Sequence, residues 1–151
     1  MDIKRVAFLV FLFTCLFAIT TYGQPLLSKA QKEKLESVVL AKVNVIGEVK
    51  DSMRSHHRSK PMLMIEREPD STFKYYSVAM GVSSFDQFRT TGRFCVDPKT
   101  FKVYFWDVFA DDMGFSNSAI IPVQQWRILK KTSGWQKPHT YRHGKLVVLT
   151  N

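Results

Sequence analysis

The chain has 151 residues, of which 22 are Lys or Arg and 13 are Asp or Glu, for a net charge of +9 at pH 7. This length corresponds to one ordinary domain. With only two cysteines the chain is not a disulfide-rich scaffold, so its stability must come from packing.

The first 23 residues have the three-part plan of a secretory signal peptide. Lys4 and Arg5 form the charged start, residues 6–19 are an apolar run, and Thr21-Tyr22-Gly23 offers small residues at the cleavage positions. The run is shorter than the about 20 residues that span a bilayer. The sequence therefore predicts a signal peptide at 1–23, a single domain at 24–151, and export to the periplasm, cell surface or medium. No stable membrane anchor is expected after cleavage.

Only Cys95 remains in that mature part, so no internal disulfide can form. It lies in an apolar and aromatic strand pattern, which predicts a buried, inert thiol. The positive charge would suggest nucleic acid as the partner of a cytosolic protein. In an exported protein the counterparts are anionic lipid, acidic glycan or an acidic protein, and we expect no nucleic-acid partner.

The mature part begins with the pattern of an amphipathic helix over residues 28–54. Ser28 and Gln31 have the spacing of a capping box. Gly47 and the β-branched residues before it predict a kink. Apolar side chains recur at steps of three and four, which defines one stripe: Leu35, Val38, Val39, Val45, Ile46, Val49 and Met53.

After residue 61 the pattern changes to that of extended strands. Short turns between the strands predict antiparallel neighbours. The fold class is therefore α+β, with the long helix packed on a four-stranded antiparallel meander and a short C-terminal helix. The strands are expected at 62–67, 72–82, 87–96 and 101–110, the short helix at 122–131 and a last edge strand at 146–150.

The fourth strand is apolar or aromatic on both faces. Phe101, Val103 and Phe105 share one face, which should meet the long helix, while Tyr104 and Trp106 share the other. We expect the second face to be covered by the C-terminal segment, by a ligand or by a second copy in a homodimer.

This order of elements resembles the cystatin-like and nuclear-transport-factor-like α+β folds, in which a curved antiparallel sheet wraps a long helix. The resemblance covers residues 28–131 and includes no diagnostic motif. Cystatin inhibitors carry a Gln-x-Val-x-Gly loop, and the nearest stretch, residues 43–47, lacks the glutamine. The resemblance therefore does not imply inhibition of cysteine proteases, and folds of this kind serve both catalysis and binding.

Asp107 is the strongest candidate for a catalytic group, because it shares the alternation of Phe105 and should point inward. Arg93 on the third strand, or a tyrosine on the second, should reach it. Such a pair can serve acid–base chemistry, although a buried Asp–Arg pair is more often structural.

No cofactor and no metal ion are expected. His139 and His143 are four residues apart, but Pro138 and Gly144 bracket them and argue against a helix. We therefore expect exposed histidines there. The segment 111–117 lacks the ligand spacing of a calcium loop.

A non-enzymatic binding module is the function that these features favour. Its sheet face and its aromatic and basic C-terminal segment would bind an unknown protein, an acidic glycan or an apolar ligand. The expected binding residues are Tyr104, Trp106, Trp135, Tyr141 and Arg142. The alternatives are a small pocket enzyme of the same fold, or an inhibitor or immunity-type protein that acts on a secreted enzyme.

Overall fold

The computed structural model describes residues 27–56, 59–84, 87–110 and 119–149. The predicted signal peptide, His57 and the segment 111–117 lie outside these residues. The chain divides into two compact units, 1–32 and 33–151. Within the described ranges the helices are α1 (Lys29–Asn44), α2 (Gly47–Ser55) and α3 (Val123–Leu129). The strands there are β1 (Pro61–Arg67), β2 (Tyr76–Ser84), β3 (Gln87–Val96), β4 (Val103–Trp106), β5 (Ile120–Pro122), β6 (His139–Arg142) and β7 (Lys145–Val148). The α+β class is confirmed.

The predicted long helix is two helices, with a break just before the kink expected at Gly47. Ile46 adopts an extended conformation, with φ −66° and ψ 130°. Val45 and Ile46 are β-branched and favour such a conformation over a helical one. The break leaves Val45 exposed and buries Ile46. At the start of α1 the predicted capping box forms, because the Ser28 and Gln31 amides each donate to the other residue's side chain.

The sheet is an antiparallel meander in the order β1-β2-β3-β4-β5. It has one strand more than predicted, since β5 pairs with β4. The second strand starts at Tyr76 and not at 72, because Asp70 Oδ1 accepts the Thr72 and Phe73 amides at 2.7 and 2.9 Å and holds them in a turn. The fourth strand starts at Val103, because Phe101 has φ 53°, a conformation that strands do not use.

The C-terminal strand also differs from the prediction. It runs over Lys145–Val148 and forms a separate hairpin with β6, whereas the sequence predicts an edge strand at 146–150. His143 and Gly144 both have positive φ, 50° and 72°. Two such residues in succession make a two-residue turn whose twist matches the two strands.

The hydrophobic core lies on both faces of the sheet. On one face Val39, Val43 and Val49 of the helices pack on Phe94 and other side chains of the strands. On the second face Trp106 packs with Phe73, Tyr75 and Tyr141, and with other residues that follow α3. The second face of β4 is therefore covered by the chain itself, in part by its C-terminal segment. A homodimer stays a prediction, but the face expected to form it is occupied.

Candidate functional site

A pocket of about 330 Å³ opens between β3, β4, α3 and the segment after α3. Phe109 also lines the pocket although 86% of its surface is exposed. One part of the wall, called the aromatic wall below, is contributed by Phe94, Phe105, Trp106, Trp126 and Trp135.

Three of these rings hold one another in place. Phe94 and Phe105 are cross-strand partners, so their side chains emerge on the same face. Phe105 stacks on Trp126 with ring centroids 4.3 Å apart and planes 2° apart, and Phe94 meets both rings edge-on. Such contacts add to the stability gained from burial. The aromatic wall is therefore formed before any ligand arrives.

Gly92 is the point in the wall where a side chain is missing. It pairs with Met80 across the sheet, and both residues line the pocket. A Cβ added at Gly92 would meet the Met80 methyl at 3.4 Å and no other atom within 4 Å. A larger side chain at this position would therefore extend into the pocket without a backbone clash.

Lys130 brings a positive charge to the aromatic wall. Its Nζ lies 4.3 Å from the centroid of the Trp126 ring and 3.0 Å from Glu48 Oε1. Arg127 also binds Glu48, with both contacts at 2.9 Å. The Arg127 hydrogen bond, with help from Lys130, lowers the pKa of Glu48 to about 2, so one ionised carboxylate is shared by two cations.

Asp107 also lines the pocket, and it is buried as the sequence predicts. Its Oδ2 accepts a hydrogen bond from the Tyr141 hydroxyl at 2.9 Å and lies 2.8 Å from His139 Nε2. Its Oδ1 accepts the Phe109 amide at 3.2 Å. Burial and the neighbouring carboxylate raise the pKa of Tyr141. The phenol is therefore neutral and donates a hydrogen bond to Asp107.

Both ring nitrogens of His139 have an oxygen partner. Nδ1 lies 2.6 Å from the Lys137 carbonyl oxygen, and Nε2 lies 2.8 Å from Asp107 Oδ2. The ring is therefore held between the backbone and the Asp107 carboxyl group.

The predicted contact between Asp107 and Arg93 does not form. Arg93 binds Glu66 instead, with Nε 2.7 Å from Oε2 and a second contact at 3.1 Å. This hydrogen bond raises the pKa of Arg93. Arg93 lies opposite Trp106 in the ladder and so projects from the face away from Phe105. Strand alternation therefore places the Arg93 side chain on the face opposite to that of Phe105, where it meets Glu66.

The five predicted binding residues are distributed over several places. Trp106 and Trp135 line the pocket, whereas Tyr141 is buried against Asp107. Tyr104 packs on Tyr75 with centroids 5.5 Å apart, and Arg142 is exposed on the hairpin. The sequence prediction did not select four residues that matter here: Phe94, Trp126, Lys130 and His139.

Two further expectations are decided by the structure. Cys95 is buried, and burial raises the pKa of its thiol to about 12, as expected for an inert cysteine. The expectation of exposed histidines is wrong for His139, which is buried. Among the described residues there is no group of three or more His, Cys, Asp or Glu side chains that could hold a metal ion.

No protein-family model, curated protein or solved structure matches this chain. Along the described part of the chain, no helix is both long and apolar enough to cross a membrane.

Proposed function

We propose that this protein is an exported, non-enzymatic binding module whose aromatic pocket holds a small, largely apolar ligand. The observation that carries the proposal is the pocket of about 330 Å³ with its aromatic wall. Pockets for small molecules have volumes of about 300–1,000 Å³ and are lined mainly by apolar and aromatic side chains with a few polar groups. Trp135 lines the pocket and belongs to the C-terminal segment that is predicted from the sequence to take part in binding.

The two candidate catalytic groups are already bound to other residues of the protein, which supports binding over catalysis. Asp107 is 1% exposed, and both of its oxygens are engaged by Tyr141, His139 and the Phe109 amide. A general acid or base must exchange a proton with a substrate within hydrogen-bond reach. Arg93, the other catalytic candidate, is held by Glu66. Both groups are engaged in contacts that stabilise the fold.

The test is a fluorescence titration with N-phenylnaphthylamine, a neutral aromatic probe that brightens in apolar surroundings. We expect a saturable signal with one site per chain. The variant Gly92→Leu should abolish it, because the new side chain fills the space that Gly92 leaves open.

Gly47→Leu is the matched control. It adds the same side chain at an exposed glycine where an added Cβ meets no atom within 4 Å, and binding should be unchanged. A signal that does not saturate, or that survives in Gly92→Leu while the fold is intact by circular dichroism, contradicts the proposal.

A further inference from the structure

The charged residues around the pocket differ in how their charges are engaged. Three charged residues of the described part of the chain line it, namely Arg93, Asp107 and Lys130. Arg93 is neutralised by Glu66 in a two-contact ion pair. Asp107 is 1% exposed, and its oxygens are bound by His139, Tyr141 and the Phe109 amide. The pairs Arg93–Glu66 and Asp107–His139 are therefore both engaged within the fold.

The cluster of Lys130, Arg127 and Glu48 differs from those pairs. Two cations share one carboxylate, so the cluster carries one positive charge in excess. Arg127 already satisfies Glu48 with two parallel hydrogen bonds, the strongest geometry for such a pair. The excess charge therefore belongs to Lys130, which is the member of the cluster that lines the pocket.

Lys130 is also held in position for a ligand. Its ammonium is fixed by Glu48 at 3.0 Å and by the face of the Trp126 ring. An ammonium has three N–H donors, and the Glu48 contact uses one of them. The side chain remains 30% exposed. A second acceptor can approach it from the pocket, and little side-chain entropy is lost when it does.

We infer that the ligand is an amphipathic anion, with an apolar ring or chain in the aromatic pocket and a carboxylate or sulfonate on the Lys130 ammonium. This inference rests on the proposed function and adds the chemical class of the ligand. Placing a cation beside an apolar wall selects for molecules that combine both features, because an apolar ligand without charge leaves Lys130 partly desolvated and gains nothing from it.

The experiment compares two probes that share one aromatic body. Anilinonaphthalene sulfonate carries an anionic group, and N-phenylnaphthylamine lacks it. At low salt we expect the sulfonate to bind about tenfold more tightly, which is the size of one charge-assisted contact. Added salt should reduce this preference, since Lys130 is partly exposed.

The variant Lys130→Met keeps the apolar stem and removes the charge, while Arg127 continues to neutralise Glu48. In it the two probes should bind within about twofold of each other. Lys131→Met is the matched control, because it removes the same charge from the next residue, which is exposed and does not line the pocket. It should retain the preference for the sulfonate.

Each other outcome has one meaning. Equal affinity for both probes in the unmodified protein overturns the anionic ligand and leaves the apolar pocket standing. A preference that is lost to the same extent in Lys131→Met also overturns it, since general surface charge is then responsible. If neither probe binds saturably, the proposed function itself is overturned.

Discussion

Asp107 and His139 are 32 residues apart in the chain, yet their side chains meet at 2.8 Å in the interior. Asp107 follows directly on β4, and His139 begins β6. Tyr141, two residues further along β6, reaches the same carboxylate oxygen. The contact therefore fastens the C-terminal hairpin to the main sheet, beside the pocket that Asp107 lines.

Removal of this contact should destabilise the protein strongly. In His139→Asn the shorter side chain no longer satisfies both Asp107 and the Lys137 carbonyl, and a buried carboxylate loses a partner. We expect the free energy of unfolding to fall by about 2–4 kcal/mol, measured by urea denaturation.

The control for this prediction is the same substitution in the hairpin turn. His143 is exposed and has φ 50°, a conformation that asparagine tolerates. His143→Asn should change the free energy of unfolding by no more than about 0.5 kcal/mol. Equal effects of the two substitutions would show that the Asp107 contact does not fasten the hairpin.

The local features of the fold were predictable because they depend on residues close in sequence. The capping box at Ser28, the kink near Gly47 and the meander of β1 to β4 follow from spacing, propensity and short turns. The hairpin of β6 and β7 was not predictable in the same way. Its strands have four residues each, too few for the alternation of side chains to stand out from a loop.

The site was only partly predictable for a related reason. Asp107 is buried as predicted, and strand alternation marks Trp106 as a residue of the second face. It does not identify the partner of Asp107, because His139 and Tyr141 lie beyond a helix and a turn. The pairing of Lys130 with Glu48 joins residues 82 positions apart, and no periodic pattern in the sequence connects them.

The ion cluster at the pocket should make stability depend on pH in the acid range. The pKa of Glu48 falls from 4.5 to about 2 on folding. A carboxyl group whose pKa is lower in the folded than in the unfolded protein stabilises the fold at pH values above its unfolded-state pKa. This stabilisation is lost as the pH falls from 4.5 toward 2. It amounts to at most about 3.5 kcal/mol, at about 1.4 kcal/mol per pKa unit, and solvent screening reduces it further.

The variants Glu48→Gln and Arg127→Gln isolate this contribution from that of other carboxyl groups. The first removes the titrating group, and the second removes the main cause of its lowered pKa. Both should be less stable than the unmodified protein at neutral pH and should lose less stability between pH 4.5 and pH 2. Acid unfolding curves with slopes equal to that of the unmodified protein would rule out the Glu48 contribution.

Two glycines should respond in opposite directions to the same substitution. Gly47 begins α2, and an added Cβ there meets no atom within 4 Å. Gly47→Ala should raise the free energy of unfolding by about 0.4–1 kcal/mol, because alanine restricts the unfolded chain and favours the helix.

Gly81 lies where the β2–β3 register shifts, and an added Cβ would lie 2.9 Å from the Arg89 carbonyl carbon and closer still to its oxygen. Since both of those atoms belong to the backbone, Gly81→Ala should lower the free energy of unfolding by about 1–3 kcal/mol. Thermal denaturation of both variants shows whether each substitution raises or lowers stability. A stabilising Gly81→Ala would mean that strands β2 and β3 do not approach each other this closely.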